Sequence, residues 1–240
     1  MSLISPEVEA LLYLVAAVAF ILALKGLSSP KSARRGNIIG AAGALVGVTT
    51  VFLAEELKNV GWILLVIGVG TIISVPASRM VKMTQMPQLV ALFNGVGGGA
   101  AGIVALLELR AADTLGFLLA VAFTIFVGSV SFSGSVITFL KLQELMTTRP
   151  VLFKGQQYVM GALTIAALVA AVIVVTQGNA VVATLLMAAG LVMGLLIVLP
   201  VGGADVPIVI SLLNALTGLA VAASGLVLDN TLLLVAGTLV

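Results

Sequence analysis

The chain has 240 residues, of which 61% are hydrophobic and only 8% are charged. Soluble domains carry about 25% charged residues, so this composition excludes a soluble globular fold and indicates an integral membrane protein. The chain has no cysteine and no histidine. Thiol and iron–sulfur chemistry are therefore excluded, and the side chain that usually titrates near neutral pH is missing.

Eight apolar stretches are long enough to cross a bilayer as helices, and a ninth begins near the end of the sequence. They cover residues 8–24, 38–54, 60–78, 87–107, 115–140, 157–175, 180–199, 206–228 and 231 onward. No run of alternating hydrophobicity typical of barrel strands occurs. We therefore predict an all-α polytopic bundle of nine membrane-spanning helices, with residues 1–240 forming one transmembrane domain. Because the ninth stretch reaches only Val240, we expect the natural chain to continue.

Charged residues are distributed unevenly between the loops. Nine of the eleven basic residues fall in alternate loops or at their edges: Lys25, Lys31, Arg34, Arg35, Arg79, Lys82, Lys141, Arg149 and Lys154. Seven acids fall on the other side: Glu7, Glu9, Glu55, Glu56, Glu108, Asp113 and Asp229. The positive-inside rule then predicts an external N-terminus and a cytoplasmic C-terminus. The loop 200–205 is the one predicted cytoplasmic loop without a basic residue.

The fourth stretch contains Gly97-Gly-Gly-Ala-Ala-Gly102, which matches the dinucleotide-binding pattern G-x-G-x-x-G. That pattern requires a preceding strand and an acid about 20 residues later, and neither is present. We interpret these glycines as small residues that let a neighbouring helix approach closely. Asn94 lies just before them, seven residues after Pro87.

In the fifth stretch, Ser131, Ser135 and Thr138 share one helical face. Two interpretations remain open. The hydroxyls can bond to the carbonyl one turn earlier and simply pack, or they can line a polar path.

The eighth stretch repeats the fourth: Pro207 precedes Asn214 by seven residues, and Ser211 and Thr217 share the face of Asn214. A polar stripe at this depth in a bilayer is a functional-site hypothesis by default, although Asn94 and Asn214 could also be interhelical contacts only. Asp205, at the start of this stretch, could cap the helix or serve in coupling or proton entry.

Four motifs together resemble the membrane domain of the beta subunit of proton-translocating NAD(P) transhydrogenase. They are Asn59-Val-Gly-Trp-Ile-Leu-Leu65, Met83-Thr-Gln-Met-Pro-Gln-Leu-Val90, Phe132-Ser-Gly-Ser-Val136 and Gly202-Gly-Ala-Asp-Val-Pro-Ile-Val-Ile-Ser-Leu-Leu-Asn-Ala-Leu-Thr-Gly218. The last is the most specific, and the four spread over most of the chain.

The resemblance implies a nine-span multi-pass protein of the inner membrane that couples proton entry to hydride transfer from NADH to NADP⁺. It implies a cytoplasmic NADP(H)-binding domain after Val240, and an alpha subunit that supplies the NAD(H) domain and further membrane helices. The whole complex is expected to be a homodimer in the lipid bilayer. We expect no cofactor, metal or nucleic acid on these 240 residues themselves.

Carried onto this sequence, the resemblance assigns Asp205 to coupling with the NADP(H) domain, and Asn214 and Ser135 to the proton path. With their neighbours, the predicted path residues are Asn94, Ser131, Ser135, Ser211, Asn214 and Thr217. Many family members have a histidine where this chain has Asn94. We expect either water or an imidazole of the partner subunit to replace it.

Two rival functions remain open at this point. One is a secondary transporter of a small solute, although the repeat here is parallel and weak. The other is a structural anchor for a respiratory complex. No nucleophile–base pair, metal cluster or nucleic-acid pattern is visible in the sequence.

Overall fold

The computed structural model describes residues 3–54, 57–111 and 113–240, and these residues form helices and loops with no strand. Glu55 and Glu56, used above to predict orientation, lie outside the described residues. The α-helices within these ranges are α1 (Pro6–Leu27), α2 (Ala33–Ala54), α3 (Val60–Met80), α4 (Met86–Glu108), α5 (Leu115–Leu142), α6 (Gln156–Gln177), α7 (Ala180–Val198), α8 (Val206–Val227) and α9 (Thr231–Leu239).

Eight of these helices, α1 to α8, are long and apolar enough to cross a membrane. They coincide with the eight complete stretches predicted from the sequence, so the prediction of a multi-pass helical protein is confirmed. The ninth helix has nine residues. Its crossing of a membrane and the orientation of the termini stay predictions.

Local sequence explains several helix ends. Pro87 and Pro207 lie in the first turns of α4 and α8, where the N–H that proline lacks would have no helical partner. The Asn179 side chain caps α7 by accepting hydrogen bonds from Val181 N (2.9 Å) and Val182 N (3.2 Å). Gly178, with φ of 60°, ends α6 in the left-handed conformation that glycine adopts without strain.

The chain forms two compact units, the first holding α1 to α3 and the second beginning at Val81. In the first unit, α1 and α2 pack through glycines: a Cβ atom at Gly26 would lie only 2.7 Å from Gly36 Cα. No residue of α3 is buried.

In the second unit, α5 is the central helix, with 28 residues and contacts to α4, α6, α7 and α8. The helices α4 and α8 also contact each other, so α4, α5 and α8 form a three-helix contact.

One end of this unit gathers the start of α4, the end of α5 and the loops 143–155 and 199–205. The backbone links these loops, because Val151 N donates to Leu199 O (2.9 Å) and Gly203 N donates to Thr148 O (2.9 Å). Arg149 and Lys154 lie in the first of these loops, and Lys82 lies four residues before α4, so we call this the basic end.

Candidate functional site: a polar cluster between three helices

Alternating serines give α5 two different polar faces. Ser129, Ser131, Ser133 and Ser135 are spaced by two residues, which turns successive side chains to nearly opposite sides of a helix. Ser129 and Ser133 lie on the α7 side, where each donates back to its own helix, to Ile125 O (2.6 Å) and Ser129 O (3.1 Å). The other two serines lie toward α4 and α8.

Asn94 of α4 bonds to both serines of that second face. Its Nδ2 donates to Ser135 Oγ (3.0 Å) and to Ser131 Oγ (3.3 Å), and the residue is only 8% exposed. Asn94 therefore joins α4 to α5 well inside the protein.

Thr217 of α8 completes what we call the polar cluster: Asn94, Ser131, Ser135 and Thr217. The Ser131 and Thr217 hydroxyl oxygens lie 2.5 Å apart, and either can be the donor. Ser131 Oγ also lies 2.9 Å from Leu213 O, and Thr217 Oγ1 lies 3.4 Å from Asn94 O. All four side chains are buried.

Two hydrogen-bond directions satisfy the Ser131–Thr217 pair, because each hydroxyl has one proton. In one, Thr217 donates to Ser131 and Ser131 donates to Leu213 O. In the other, Ser131 donates to Thr217 and Thr217 donates to Asn94 O. Rotating the hydroxyls converts one direction into the other without moving a heavy atom.

Glycines on α4 allow this close approach. A Cβ atom at Gly98 would lie 3.0 Å from Ser131 Cβ and 3.2 Å from Thr217 Oγ1, and one at Gly95 would lie 2.9 Å from Ser135 Cβ. The small-residue interpretation of the glycine run is therefore confirmed: Gly98 faces Ser131 and Thr217, and Gly99 faces the ring of Phe132.

The cluster keeps one unused acceptor. Asn94 Oδ1 is buried and has no hydrogen-bond partner among the described residues. Since a buried amide oxygen rarely stays unpaired, it is the position where a water molecule or a proton donor fits best.

The other predicted path residues of α8 lie outside the cluster. Ser211 is exposed and Asn214 is partly buried, and neither makes a hydrogen bond within the described part of the chain. Thr217 alone of the predicted polar stripe on α8 joins the cluster.

The structure shows what the side chains of Thr138 and Asp205 contact, and the role of Asp205 in coupling stays a prediction. Thr138 donates to Gly134 O (2.8 Å), so it packs against its own helix rather than lining the cluster. Asp205 precedes α8 but is exposed, and its side chain makes no capping hydrogen bond.

Lys141 is a residue that the sequence reasoning missed. Its charge predicts a loop position, but Lys141 lies in the last turn of α5 and is fully buried. Its Nζ donates to Leu199 O (2.6 Å), Val201 O (2.7 Å) and Val198 O (3.1 Å), which satisfies all three ammonium protons. The sequence feature that could have identified Lys141 is its position at the end of an apolar run, six residues after Ser135. Lys141 ties α5 to the loop that leads to Asp205.

The described residues contain no group of three acidic side chains that could hold a metal ion. What the site offers is a buried chain of neutral hydrogen-bonding groups between α4, α5 and α8. Such a chain can orient water and pass protons, and it contains no nucleophile paired with a base.

These features define a polytopic α-helical membrane protein with a buried polar cluster. A sequence model of the NAD(P) transhydrogenase beta subunit matches residues 9–240. The chain therefore belongs to the NAD(P) transhydrogenase beta-subunit family.

The family assignment agrees with individual relatives. Two sequences of the NAD(P) transhydrogenase subunit beta of Rhodospirillum rubrum, one of them from a named strain, are each 39% identical to this chain over 238 residues. The alignment covers 95% of this chain and 51% of each relative. The chain thus spans about half the length of the curated relatives that it matches.

Proposed function

We propose that this chain is the proton-translocating membrane part of an NAD(P) transhydrogenase, and that the polar cluster is part of its proton path. In this function, proton entry is coupled to hydride transfer from NADH to NADP⁺. The observation that carries the proposal is the Asn94–Ser131–Thr217 chain with its unused acceptor, buried between three helices of a family member.

The chemistry of the cluster suits proton transfer through water and hydroxyls. A proton that passes along the Ser131–Thr217 pair reverses the direction of the hydrogen bonds, and rotation of the hydroxyls restores it. Asn94 Oδ1 can hold a water at the entrance of this pair. Asn94 itself does not titrate, so it positions the proton carrier rather than carrying the charge.

A titratable group in the path must then come from elsewhere, because the chain has no histidine. We propose an imidazole of the alpha subunit that faces Asn94, since a relay near neutral pH needs a group that titrates there. Replacing every intramembrane histidine of that subunit should stop pumping, and unchanged pumping would exclude this source.

The remaining parts of the proposal concern the whole complex. An NADP(H)-binding domain follows Val240 on the cytoplasmic side, with the N-terminus outside, and the alpha subunit adds NAD(H) binding and further helices. The complex is a homodimer of the inner membrane. The exposed Asp205 meets the NADP(H) domain, and Lys141 transmits the movement of the loop 199–205 to α5.

The transporter alternative receives no support from the two grooves along α5. Their volumes are about 390 and 370 Å³, but Ser129, Thr164 and Thr176 are the only polar side chains on their walls, and neither includes a residue of the polar cluster. A third groove of about 500 Å³ has Gln156, Gln157 and Tyr158 on its wall, but it lies at the start of α6 and includes no residue of the polar cluster. A polar solute would need several polar partners at its site.

The test uses the full complex in inverted vesicles. Hydride transfer from NADPH to NAD⁺, the reverse direction, moves protons into an inverted vesicle. Its rate and vesicle acidification are followed together for the wild type, Asn94→Leu, Asn214→Leu and Asp205→Asn. We expect the wild type to acidify the vesicles. In Asn94→Leu the rate of acidification should fall by about tenfold or more, because the substitution removes the amide and leaves Ser131 and Ser135 without their partner.

The two other variants distinguish a residue of the proton path from a residue that couples the path to the NADP(H) domain. Asn214→Leu should have the weaker effect on acidification, because Asn214 is outside the hydrogen-bonded cluster. Asp205→Asn should lower acidification and hydride transfer together, as expected of a coupling residue. Absence of nucleotide-dependent acidification in the wild type would contradict the proposed function.

A further inference from the structure

Buried hydroxyls in the described residues fall into two groups. Four of the nine buried Ser and Thr side chains donate to the carbonyl one turn earlier: Thr50, Ser129, Ser133 and Thr138. The other five do not: Thr124, Ser131 and Ser135 on α5, and Thr217 and Ser224 on α8. Back-bonding is the ordinary state of a helical hydroxyl, so the exceptions mark the α5–α8 contact as unusual.

Three of the five exceptions belong to the polar cluster, but Thr124 and Ser224 do not. Thr124 is fully buried and Ser224 is 5% exposed. Both hydroxyl oxygens lack a hydrogen-bond partner in the part of the chain that the structure describes. Two buried polar groups without partners need an explanation that the polar cluster does not supply.

Helix register places these two residues at one level. The helices α5 and α8 run antiparallel, because Gly134 faces Leu213, Ser131 bonds Thr217, and Val127 packs in one cluster with Ala220. One turn further along, the same register brings Thr124 opposite Ser224. The next level is again apolar, since Val121 and Val227 belong to one buried cluster.

An apolar layer separates this second hydroxyl pair from the polar cluster. It consists of Ala101, Val127 and Ala220, one residue from each of the three helices, and all three are buried. Thr124 and Ser224 lie seven residues from Ser131 and Thr217, which is about 10 Å along a helix and far beyond a single hydrogen bond.

We propose that Thr124 and Ser224 form a second site, for a bound water, and that the apolar layer is the barrier that must open for a proton to pass between this site and the polar cluster. The inference rests on the proposed proton path and extends it away from the basic end. It assigns a role to two residues that the sequence did not single out.

The chemistry of the second site follows from its donors and acceptors. A buried water needs two to four polar partners. The two hydroxyls supply two, and the carbonyls of Ala120 and Ala220, one turn earlier on each helix, can accept from it. The water accepts one proton and releases another, so water and hydroxyls are unchanged after each transfer. Because the layer carries no polar side-chain atom, it excludes water until the helices separate.

The test removes only the hydroxyl groups. In the full complex in vesicles, the double variant Thr124→Val with Ser224→Ala keeps side-chain volume nearly constant. We expect nucleotide-driven acidification to fall about tenfold, because the water loses two of its partners. The control Thr138→Val removes a back-bonded hydroxyl of the same helix and should acidify vesicles like the wild type.

A second variant tests the barrier directly. Val127→Thr places a hydroxyl in the apolar layer without a change of shape, and it should speed the passive decay of an imposed pH gradient in the absence of nucleotides. If the pH gradient decays at the wild-type rate in Val127→Thr, the proposed barrier is contradicted.

Asn94→Leu in the same assay separates the two proposals. If Asn94→Leu loses acidification while the double variant pumps normally, the second water site is wrong and the proposed function stands. If Asn94→Leu itself pumps normally, the proposed function fails. Thermal unfolding of each purified complex identifies variants that have lost their fold, and single substitutions at Thr124 and at Ser224 then replace the double variant.

Discussion

The two serine faces of α5 differ in what their hydroxyls bond, although they have the same residue type and similar burial. On the α7 side, Ser129 and Ser133 donate hydrogen bonds to carbonyls of α5 itself, and this face serves only packing. On the α4 and α8 side, Ser131 and Ser135 reach other helices and form a connected network. The difference shows that polar residues in a membrane helix are candidates for function when their hydrogen bonds leave the helix.

The largest effect is expected from crowding the networked face. Gly98→Ala places a methyl group 3.0 Å from Ser131 Cβ and 3.1 Å from Gly128 O, which forces α4 and α5 apart. Overpacking of this kind costs about 1–3 kcal/mol and should abolish coupled proton movement. The neighbouring Gly97→Ala is the control, because its Cβ would meet only Thr217 Cγ2 at 3.5 Å. The stability of both variants is measured by thermal unfolding, and their proton movement by vesicle acidification. If Gly98→Ala and Gly97→Ala give the same values, close packing at Gly98 is not required.

A somewhat smaller effect is expected where α5 is tied to the loop at the basic end. Lys141→Met keeps a long unbranched side chain, one atom shorter, but leaves the carbonyls of Val198, Leu199 and Val201 without their donor. We expect a loss of about 1–3 kcal/mol in unfolding free energy, and hydride transfer that no longer depends on an imposed pH gradient. Lys154→Met, on an exposed loop position, should retain both properties. Preserved gradient dependence in Lys141→Met would show that this tie is structural only.

A third comparison uses two threonines. Thr217→Val removes the partner of Ser131 and should slow acidification about tenfold. Thr138→Val removes only a back-bond to Gly134 O and should leave acidification unchanged. If both variants pump equally well, the cluster does not need its α8 hydroxyl.

The smallest effect is expected at the edge of the cluster. Ser135→Ala removes one of the two acceptors of Asn94 Nδ2 and leaves the other, at Ser131, in place. Its cost should be about 0.6 kcal/mol, a typical value for one hydrogen bond between membrane helices, with a slight decrease in acidification. Ser129→Ala, on the α7 side, should show no decrease in acidification under the same conditions.

Much of the fold could be predicted from the sequence because bilayer thickness sets a length that apolar runs must match. The eight long helices and the glycine contacts of α4 followed from local pattern. The family resemblance, carried by motifs such as the one around Asp205, was confirmed.

The site was harder to predict, because it depends on how each helix is rotated against its neighbours. Ser131 and Ser133 look alike in sequence, and only packing turns one to α8 and the other to α7. Ser211 and Thr217 share a face with Asn214 in the pattern, yet Thr217 alone of the three is buried. Lys141 fitted a loop by its charge, while its burial depends on carbonyls more than 50 residues away in the sequence.

The most direct test of the networked face is a measurement of protons moved per hydride transferred, in full complexes that carry Ser131→Ala or Ser133→Ala. Both changes remove one buried serine hydroxyl from α5, two residues apart. We predict that the ratio falls sharply in Ser131→Ala, because Asn94 and Thr217 lose their common partner, and that it stays at the wild-type value in Ser133→Ala. Equal ratios in the two variants would contradict the assignment of the polar cluster to the proton path.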